Sequence, residues 1–396
     1  MIDLRAARSD PDRFRTALAR KGAAERFDEL LAADERWRAL LPKVEELRTR
    51  RKLDGKPTPE QLAELNRLKE ELRVAEEELE AASAERDALL QKVPNPPDPS
   101  APDGTTDEDA EEVRRVGEPG PAGRAHTDVG RFEMERAARL SGSRFGYIAG
   151  DSALVAMSLY RLAIERAAAH GHTPLIPPVL VREKAMYGTG FFPTERSNIY
   201  ALEADELYLT GTSEVALAGF HMDEILEELP LRYAAFSPCF RRESGAAGKD
   251  TSGMFRVHQF NKVELFAYCS PESSSEEHER LLAIEEELVQ SLGLPYRVVN
   301  VAAGDLGDPA TKKYDIEAWF PHQQRYREIT STSNTTDFQA RRLGIRYRAG
   351  EKRLETPHTL NGTAVTDRWL LAILENFDGA IPEVLRELGA PARVEN

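Results

Sequence analysis

The chain has 396 residues, of which 41% are hydrophobic, and a formal net charge of −15 at pH 7. This length allows two domains, one of them with a substantial core, and the hydrophobic share is ordinary for a soluble protein. The negative charge speaks against indiscriminate binding to nucleic acid, because it repels phosphate, but it does not exclude a local basic site.

Membrane insertion, secretion and zinc binding are not expected. No apolar run approaches the roughly 20 residues that cross a bilayer, and residues 1–15 carry charges throughout, unlike a secretory signal. Cys239 and Cys269 are the only cysteines, and no CxxC spacing exists for a four-ligand zinc site. These features predict a protein of the reducing cytoplasm.

Residues 28–93 are predicted to form a helical hairpin, because apolar side chains recur at alternating three- and four-residue steps, as in a coiled coil. The segment LDGKPTP at 53–59 interrupts the pattern, so the two halves fold back antiparallel. Thr58 is expected to cap the second helix, with Pro59 at its first position and Gln61 at its third. The predicted seam consists of Leu30, Ala33, Trp37, Leu40, Val44 and Leu47, and of Leu65, Leu68, Leu72, Ala75, Leu79, Ala82 and Leu89.

The tip of this hairpin, near residues 52–58, is basic. Five cations surround a single acid, Asp54, so the tip is suited to contact phosphate groups on a nucleic acid. A coiled coil by itself leaves a dimerisation or spacer role open. The basic side chains are Arg48, Arg50, Arg51, Lys52 and Lys56.

The composition divides the chain into an N-terminal domain at 1–97, a linker at 98–125 and a second domain at 126–396. Proline, glycine and acidic residues dominate the linker, which is predicted to pack loosely on the surface. The second domain is predicted to be α+β, with helices at 153–170 and 275–292 that flank a mostly antiparallel sheet.

The segment 240–264 is the most informative part of the chain. Residues alternate at period two on both sides of a glycine-punctuated loop, which predicts two antiparallel strands. In that geometry Arg241, Glu243 and Glu264 can face the same side of the sheet. A surface hairpin with solvated charges is the structural alternative, but one cation and two carboxylates also suit a ligand with phosphate and ammonium groups.

This segment resembles motif 2 of the class II aminoacyl-tRNA synthetases, and in detail the seryl-tRNA synthetase family. Four further blocks follow the family's order, and the resemblance covers essentially the whole chain. It implies an N-terminal antiparallel coiled-coil arm and a class II catalytic domain on a mostly antiparallel β-sheet flanked by helices. The blocks are IPPVLV at 176–181, similar to motif 1; TGTSEVAL at 210–217, similar to the serine-binding loop; REITSTSN at 327–334 with DFQARR at 337–342, similar to the ATP-side strand; and HTLNGTAVTDRWLLAILEN at 358–376, similar to motif 3.

The resemblance implies a ligase that activates L-serine with ATP to seryl-adenylate and transfers it to the 3′ end of tRNA-Ser, with Mg²⁺ as cofactor. The arm would grip the long variable arm of the tRNA, and motif 1 would form a homodimer. Neither a membrane nor DNA is an expected partner.

The resemblance also assigns roles to single residues. Arg241 would bridge the serine carboxylate and the α-phosphate, Arg368 would reach the γ-phosphate, and these two are the expected catalytic residues. Glu328 and Ser331 would hold Mg²⁺, which needs few protein oxygens because it keeps waters and borrows phosphate oxygens. The expected serine site consists of Thr212, Ser213, Glu214, Arg241, Glu264, Asn361 and Thr363, and the expected ATP site of Arg241, Arg242, Glu243, Val257, Phe260, Glu328, Ile329, Thr330, Ser331 and Arg368.

The chain departs from the family pattern in three places. The hairpin is shorter than expected, Ser252 stands where the family commonly has arginine, and one residue fewer separates Asn361 from Arg368 than in many members. Two alternatives therefore stay open. One is a serine-activating paralogue that passes the seryl group to another acceptor in a biosynthetic or resistance pathway, and the other is a catalytically inactive, synthetase-like interaction protein.

Overall fold

The structure is a computed structural model that describes residues 1–52, 58–244 and 253–395. The chain divides into two compact units, Met1–Pro96 and Pro97–Asn396. None of the helices in these described ranges is long and apolar enough to cross a membrane.

The described part of the first unit is entirely helical, and its two long helices form an antiparallel hairpin. Ion pairs show the direction, because Arg36 contacts Glu85 near the base, whereas Arg48 contacts Glu76 further along. The helices are α1 Leu4–Ser9, α2 Pro11–Ala19, α3 Ala24–Arg50 and α4 Pro59–Leu90.

The predicted seam between the long helices is confirmed in its central part. Val44 and Leu47 of α3 pack against Leu68, Leu72 and Ala75 of α4, and all five are buried. Nearer the base the seam changes, because Leu30 joins a separate cluster with residues of α1 and α2. Trp37 is only half-buried, and the guanidinium of Arg86 lies 3.9 Å from its ring centroid.

The predicted cap of the second long helix is confirmed. The Gln61 backbone N–H donates to Thr58 Oγ1 at 3.2 Å, and the Thr58 N–H donates to Gln61 Oε1 at 2.9 Å. Two backbone donors without helical partners are thereby satisfied at the start of α4. Residues 53–57 of the predicted turn at 53–59, including Lys56, lie outside the described residues.

The second unit is built on a mostly antiparallel sheet, as predicted. In its described part, eight strands follow the spatial order β1-β9-β10-β11-β14-β8-β7-β2, and only β2 and β7 pair in parallel. The strands of the unit are β1 Glu111–Val116, β2 Thr173–Leu175, β3 Leu180–Arg182, β4 Ala201–Leu202, β5 Leu207–Leu209, β6 Ile225–Leu226, β7 Leu231–Phe240, β8 Gln259–Cys269, β9 Tyr296–Asn300, β10 Lys312–Phe320, β11 Arg325–Asn334, β12 Arg346–Gly350, β13 Arg353–Glu355 and β14 His358–Thr366.

Three longer helices pack against this sheet and close its main core. Two of them confirm the helices predicted at 153–170 and 275–292, and the third follows β14 and buries Trp369 completely. The helices of the unit are α5 His126–Val129, α6 Met134–Ser141, α7 Asp151–Ala169, α8 Glu183–Thr189, α9 Glu214–Ala218, α10 Ser274–Ser291, α11 Phe338–Arg342, α12 Asp367–Phe377 and α13 Glu383–Arg386.

The structure corrects the predicted loose linker at 98–125. Within it, β1 pairs antiparallel with β9 from Glu111 opposite Asn300 to Val116 opposite Tyr296, and so forms one edge of the sheet. All six side chains of β1 are exposed, which explains why the composition resembles a linker. Backbone hydrogen bonds, together with the ion pair of Arg114 with Glu286 on α10, hold this strand in place.

We predict that Asp34 is the main electrostatic support of the first unit. Its side chain is 0% exposed and accepts hydrogen bonds from Arg8 at 2.5 and 2.8 Å and from Arg38 at 2.9 Å. Asp34→Asn should therefore lower the free energy of local unfolding by about 2 kcal/mol, measured by hydrogen–deuterium exchange of the α3 amides in the full chain. The matched control is Asp28→Asn, because Asp28 pairs with Arg15 at 2.7 Å but is 50% exposed; its loss should stay below about 1 kcal/mol. Equal losses in the two variants would contradict this assignment.

Candidate active site

An open cavity lies over the centre of the sheet, and its volume is about 710 Å³ when the space open to solvent is included. Its floor comes from β8, β11 and β14, which are neighbours in the sheet although far apart in the sequence. Thr363 of the predicted serine site lines it together with nine of the ten residues predicted for the ATP site. These nine are Arg241, Glu243, Val257, Phe260, Glu328, Ile329, Thr330, Ser331 and Arg368.

Strand register brings the predicted residues together. Glu264 on β8 lies opposite Thr363 on β14, and Gly362 beside it lies opposite Thr332 on β11. Directly opposite residues in an antiparallel pair have their Cβ atoms about 5 Å apart, so Glu264 and Thr363 share one face, whereas Gly362 and Thr332 belong to the other face. The pairing of β8, β14 and β11 nevertheless places the three blocks side by side.

Arg241 lies just beyond the end of β7. Its backbone N–H donates to the carbonyl of His258 at 2.9 Å, and its Nε donates to the carbonyl of Gly211 at 3.2 Å. Its guanidinium carbon is 5.2 Å from the ring centroid of Phe260. The side chain thus lies between the 210–214 loop and the aromatic part of the cavity.

The strands that flank the loop are shorter than the alternation predicts. β7 ends at Phe240 and β8 begins at Gln259, so Arg241 and Glu243 lie after one strand, and Val257 lies before the other. Glu243 has a φ of 52°, which an extended strand does not allow. The predicted common face therefore arises from a turn rather than from strand alternation.

Sequence reasoning missed Phe255 and Arg256, which follow the loop. Arg256 donates to Glu243 at 2.7 Å, and the Phe255 ring centroid lies 3.7 Å from the guanidinium of Arg327 and 4.7 Å from that of Arg368. The period-two alternation after the loop identifies Phe255 only as a strand residue, because an apolar side chain in that pattern carries no other signal.

Glu328 lies among cations at the mouth of the cavity. Arg368 Nη1 donates to its Oε2 at 3.3 Å, and Lys313 Nζ is 3.9 Å from its Oε1. Burial opposes ionisation, but Lys313, followed by Arg368 and Arg241, outweighs it and lowers the pKa of Glu328 to about 2. The side chain is 43% exposed, so an ionised oxygen ligand faces the cavity.

The donor set at this point fits Mg²⁺. Glu328 and Ser331 both line the cavity and supply a carboxylate and a hydroxyl oxygen. Within the described ranges, no three His, Cys, Asp or Glu side chains are arranged to hold a metal ion. Two hard oxygens with room for water and phosphate suit Mg²⁺ better than a metal that needs a complete protein cage.

Glu264 is held at the bottom of the site by two partners. Thr212 Oγ1 donates to its Oε2 at 3.1 Å, and Lys262 forms an ion pair with the same oxygen. Lys262 and Glu264 are 5% and 1% exposed, so the pair is buried. Sequence reasoning missed Lys262, although it lies two residues before Glu264 and therefore faces the same side of β8.

Glu214 lies at the start of α9, where its backbone N–H donates to Thr212 Oγ1 at 3.1 Å. Its Oε1 accepts from Asn361 Nδ2 at 3.0 Å and from Gln339 Nε2 at 2.7 Å. Burial, followed by the charge of Glu264, raises the pKa of Glu214 to about 7. Glu214 and Asn361 line a second cavity beside the first.

Four predicted residues line neither cavity. Two of them, Thr212 and Glu264, are buried and hydrogen-bonded to each other, and the other two are Arg242 and Ser213. Arg242 extends over Tyr200, with its guanidinium 5.4 Å from that ring centroid. Ser213 is buried, and its Oγ lies 2.7 Å from Ser237 Oγ. Both are adjacent in sequence to residues that do face the site, so their side chains point in other directions.

The basic residues predicted at the tip of the hairpin differ in their partners. Arg48 pairs with Glu45 and Glu76, and Arg50 with Glu46 and Glu64. Arg51 and Lys52 are exposed and make no ion pair with any residue that the structure describes. Lys56 lies outside the described residues.

Two family models match the chain. The "Seryl-tRNA synthetase N-terminal domain" matches residues 1–97, and the "tRNA synthetase class II core domain (G, H, P, S and T)" matches residues 199–377. Together they include both the hairpin and the cavity.

Relatives of known name extend the similarity over the whole chain. The serine–tRNA ligase of Thermobifida fusca is 50% identical over 409 residues, which cover 98% of this chain and 97% of that protein. The serine–tRNA ligase of Streptomyces coelicolor is 47% identical over 412 residues, with the same coverage.

Two solved structures are similar over nearly their full length. One is the crystal structure of seryl-tRNA synthetase from Pyrococcus horikoshii complexed with ATP, with a TM-score of 0.93, 38% identity and 100% coverage of both chains. The other is cytoplasmic serine–tRNA ligase from Naegleria fowleri in complex with AMP, with a TM-score of 0.90, 32% identity and coverage of 98% and 96%.

We predict that Lys262 stabilises the fold through Glu264. Lys262→Met should lower the free energy of unfolding by about 3 kcal/mol, because it leaves a buried carboxylate without its cation. The double variant Lys262→Met/Glu264→Gln should recover part of that loss, since no charge then stays unpaired. Chemical denaturation of the full chain measures both. Strictly additive losses would show that the two side chains do not support each other.

Proposed function

The chain belongs to the seryl-tRNA synthetase family, and from this premise we propose that it is a serine–tRNA ligase. The enzyme activates L-serine with ATP to seryl-adenylate and transfers the seryl group to the 3′ end of tRNA-Ser. The observation that carries the proposal is the position of Arg241, between the aromatic cavity of Phe260 and the loop that holds Thr212 against Glu264.

Arg241 is proposed to bring the two reacting groups together. Adenylate formation joins the serine carboxylate to the α-phosphate, so the site must hold two anions in contact and stabilise charge on the phosphorus. An arginine is always ionised, and its planar fork can bridge two oxyanions. Arg368, fixed to the Glu328 carbonyl at 3.1 Å, supplies a second cation for the outer phosphates.

The nucleotide is proposed to occupy the cavity lined by Phe260 and Phe255. Two similar structures are complexed with ATP or AMP, which supports nucleotide binding by this chain. The Phe260 ring offers a flat surface for adenine, and Glu243 with the backbone at Val257 lies at the adenine edge. Glu328 and Ser331 would hold Mg²⁺, which when bound neutralises phosphate charge.

Serine is proposed to bind between Glu264, Glu214 and Thr363. Two carboxylates suit its ammonium group, and Thr363, opposite Glu264 in the sheet, can hydrogen-bond its hydroxyl. A site built around a hydroxyl partner rejects an analogue without the hydroxyl by roughly 10⁴-fold, because the protein groups would stay unpaired. Alanine should be rejected on this ground.

The hairpin is proposed to bind tRNA-Ser through Arg51 and Lys52 at its end.

A homodimer is proposed through the motif 1 region. Apolar side chains are exposed there and on α7: Ile176 is 91% exposed, and Met157 on α7 is 65% exposed. Burial of such side chains against a second copy would remove apolar surface from water. A cytoplasmic location is proposed as well, since Cys239 and Cys269 are both buried and form no disulfide.

The two alternative functions are not favoured. Two relatives, 97% of whose length aligns with this chain, are named serine–tRNA ligases. The residues proposed for activation also lie close together. Within the described residues, no contact favours a paralogue with another acceptor or an inactive interaction protein. Of the three departures from the family pattern, Ser252 lies outside the described residues.

We predict that Arg241→Ala lowers the rate of serine-dependent ATP–pyrophosphate exchange by at least about 10²-fold, because one preorganised cation at the reacting phosphorus contributes about 3 kcal/mol. Arg242→Ala is the matched control, since its guanidinium lies over Tyr200 outside the cavity, and its exchange rate should stay within about threefold. Comparable losses in the two variants would exclude a specific role for Arg241.

We predict that Arg51→Ala/Lys52→Ala raises the KM for tRNA-Ser and reduces the slope of log KM against log salt by about 2, because two phosphate contacts are lost. Exchange without tRNA should be unchanged. The control Arg67→Ala/Arg73→Ala removes two arginines that are paired with Glu64, Glu70 and Glu77 on α4. If the control alters the salt slope as strongly, the end of the hairpin is not the contact.

A further inference from the structure

We propose that Gln339 is a positioning residue for the serine site. Its side-chain amide holds one oxygen of Glu214, so that the other oxygen is turned towards the ammonium group of the substrate. This inference rests on the proposed function. It also assigns Gln339 to the serine side of the site, although Gln339 belongs to the DFQARR block, which resembles the ATP-side strand of the family.

The orientation of the Gln339 amide follows from its partners. Nε2 donates to Glu214 Oε1 at 2.7 Å and to the main-chain carbonyl of Thr189 at 3.3 Å. Its Oε1 accepts from Thr359 Oγ1 at 2.9 Å. Since a main-chain carbonyl can only accept, the nitrogen must be on the side of Thr189 and Glu214.

Gln339 is 0% exposed and lines neither cavity, so it acts through Glu214 rather than on the substrate. Glu214 Oε1 receives two amide donors, from Gln339 and Asn361. None of the described residues donates to Oε2. Because Glu214 is only half-buried and lines the second cavity, Oε2 is the oxygen available to a cation.

The charged groups around Glu214 make this hydrogen bond important. Glu264 and Lys262 face it from β8, and Arg241 from the end of β7, while Glu195, Asp305 and Lys313 line the same second cavity. Burial, followed by Glu264, raises the pKa of Glu214 to about 7, and the Gln339 amide opposes this rise because it binds the ionised form.

The direction of the pH dependence follows. Below its pKa Glu214 carries a proton and cannot balance an ammonium ion, so serine should bind more tightly as the pH rises through about 7. Without the amide of Gln339 the pKa rises further, and the gain in affinity moves to higher pH. A merely structural defect would weaken binding equally at every pH.

The test is Gln339→Met in the full chain, assayed by serine-dependent ATP–pyrophosphate exchange between about pH 6 and about pH 8.5. The KM for serine should rise about tenfold near pH 7, since a hydrogen bond to a charged group is lost. The ratio of variant to wild type should fall towards one at the upper pH, and the KM for ATP should change less than about twofold. A constant ratio, or an equal rise in the KM for ATP, overturns the proposal.

Two further variants keep the test sharp. Thr359→Val has nearly the same shape and removes the nearer of the two hydroxyls that donate to Gln339 Oε1, since Thr335 Oγ1 donates at 3.4 Å. It should therefore raise the serine KM about threefold with the same pH dependence. Gln290→Met is the control. Gln290 lies near the C-terminal end of α10, and its amide donates to the hydroxyl of Tyr296 at 2.6 Å. The serine KM of this variant should not change. If the wild-type chain does not exchange with serine, the proposed function fails; if only the pH dependence is missing, the role of Gln339 alone fails.

Discussion

The balance of buried charges on the floor of the central sheet is the constraint on which the site depends. Lys262 lies against Glu264, and Arg368 lies against Glu328. Burying Lys262 or Glu264 alone would cost several kcal/mol, so each is tolerated because its partner is buried with it, whereas Glu328 is 43% exposed beside Arg368. The same arrangement leaves cations and carboxylates charged where a ligand with phosphate, carboxylate and ammonium groups would bind.

The site divides into a part held by strands and a part held by turns. Glu264 and Thr363 of the proposed serine site lie opposite each other on β8 and β14, and Phe260 and Glu328 of the proposed nucleotide site lie on β8 and β11. Arg241 lies beyond the end of β7, where the hydrogen bond from its N–H to the His258 carbonyl ties the two ends of the loop together. The sheet therefore supports both proposed sites, and the turns add the residues that complete them.

The first unit uses charge in another way. Along α3 and α4 most described arginines are paired with glutamates, as Arg73 is with Glu70 and Glu77, and such exposed pairs contribute little to stability. They do neutralise the helix surface, so that positive charge is left at the end of the hairpin, on Arg51 and Lys52. Counting cations in the sequence overstates the basic tip, because Arg48 and Arg50 are already paired.

The sequence by itself determined the helical hairpin, its cap at Thr58 and the order of the blocks that form the site, because these depend on local periodicity and on residues a few positions apart. It predicted Arg241 and Glu264 on the two sides of one loop, but Arg241 lies beyond the end of β7, whereas Glu264 lies within β8. Only the tertiary structure decided that β1 is an edge strand, that Arg242 and Ser213 face away, and that Gln339 contacts Glu214. Those outcomes depend on where a backbone turns and on which distant segment packs alongside, and no pattern within a short stretch of sequence carries that information.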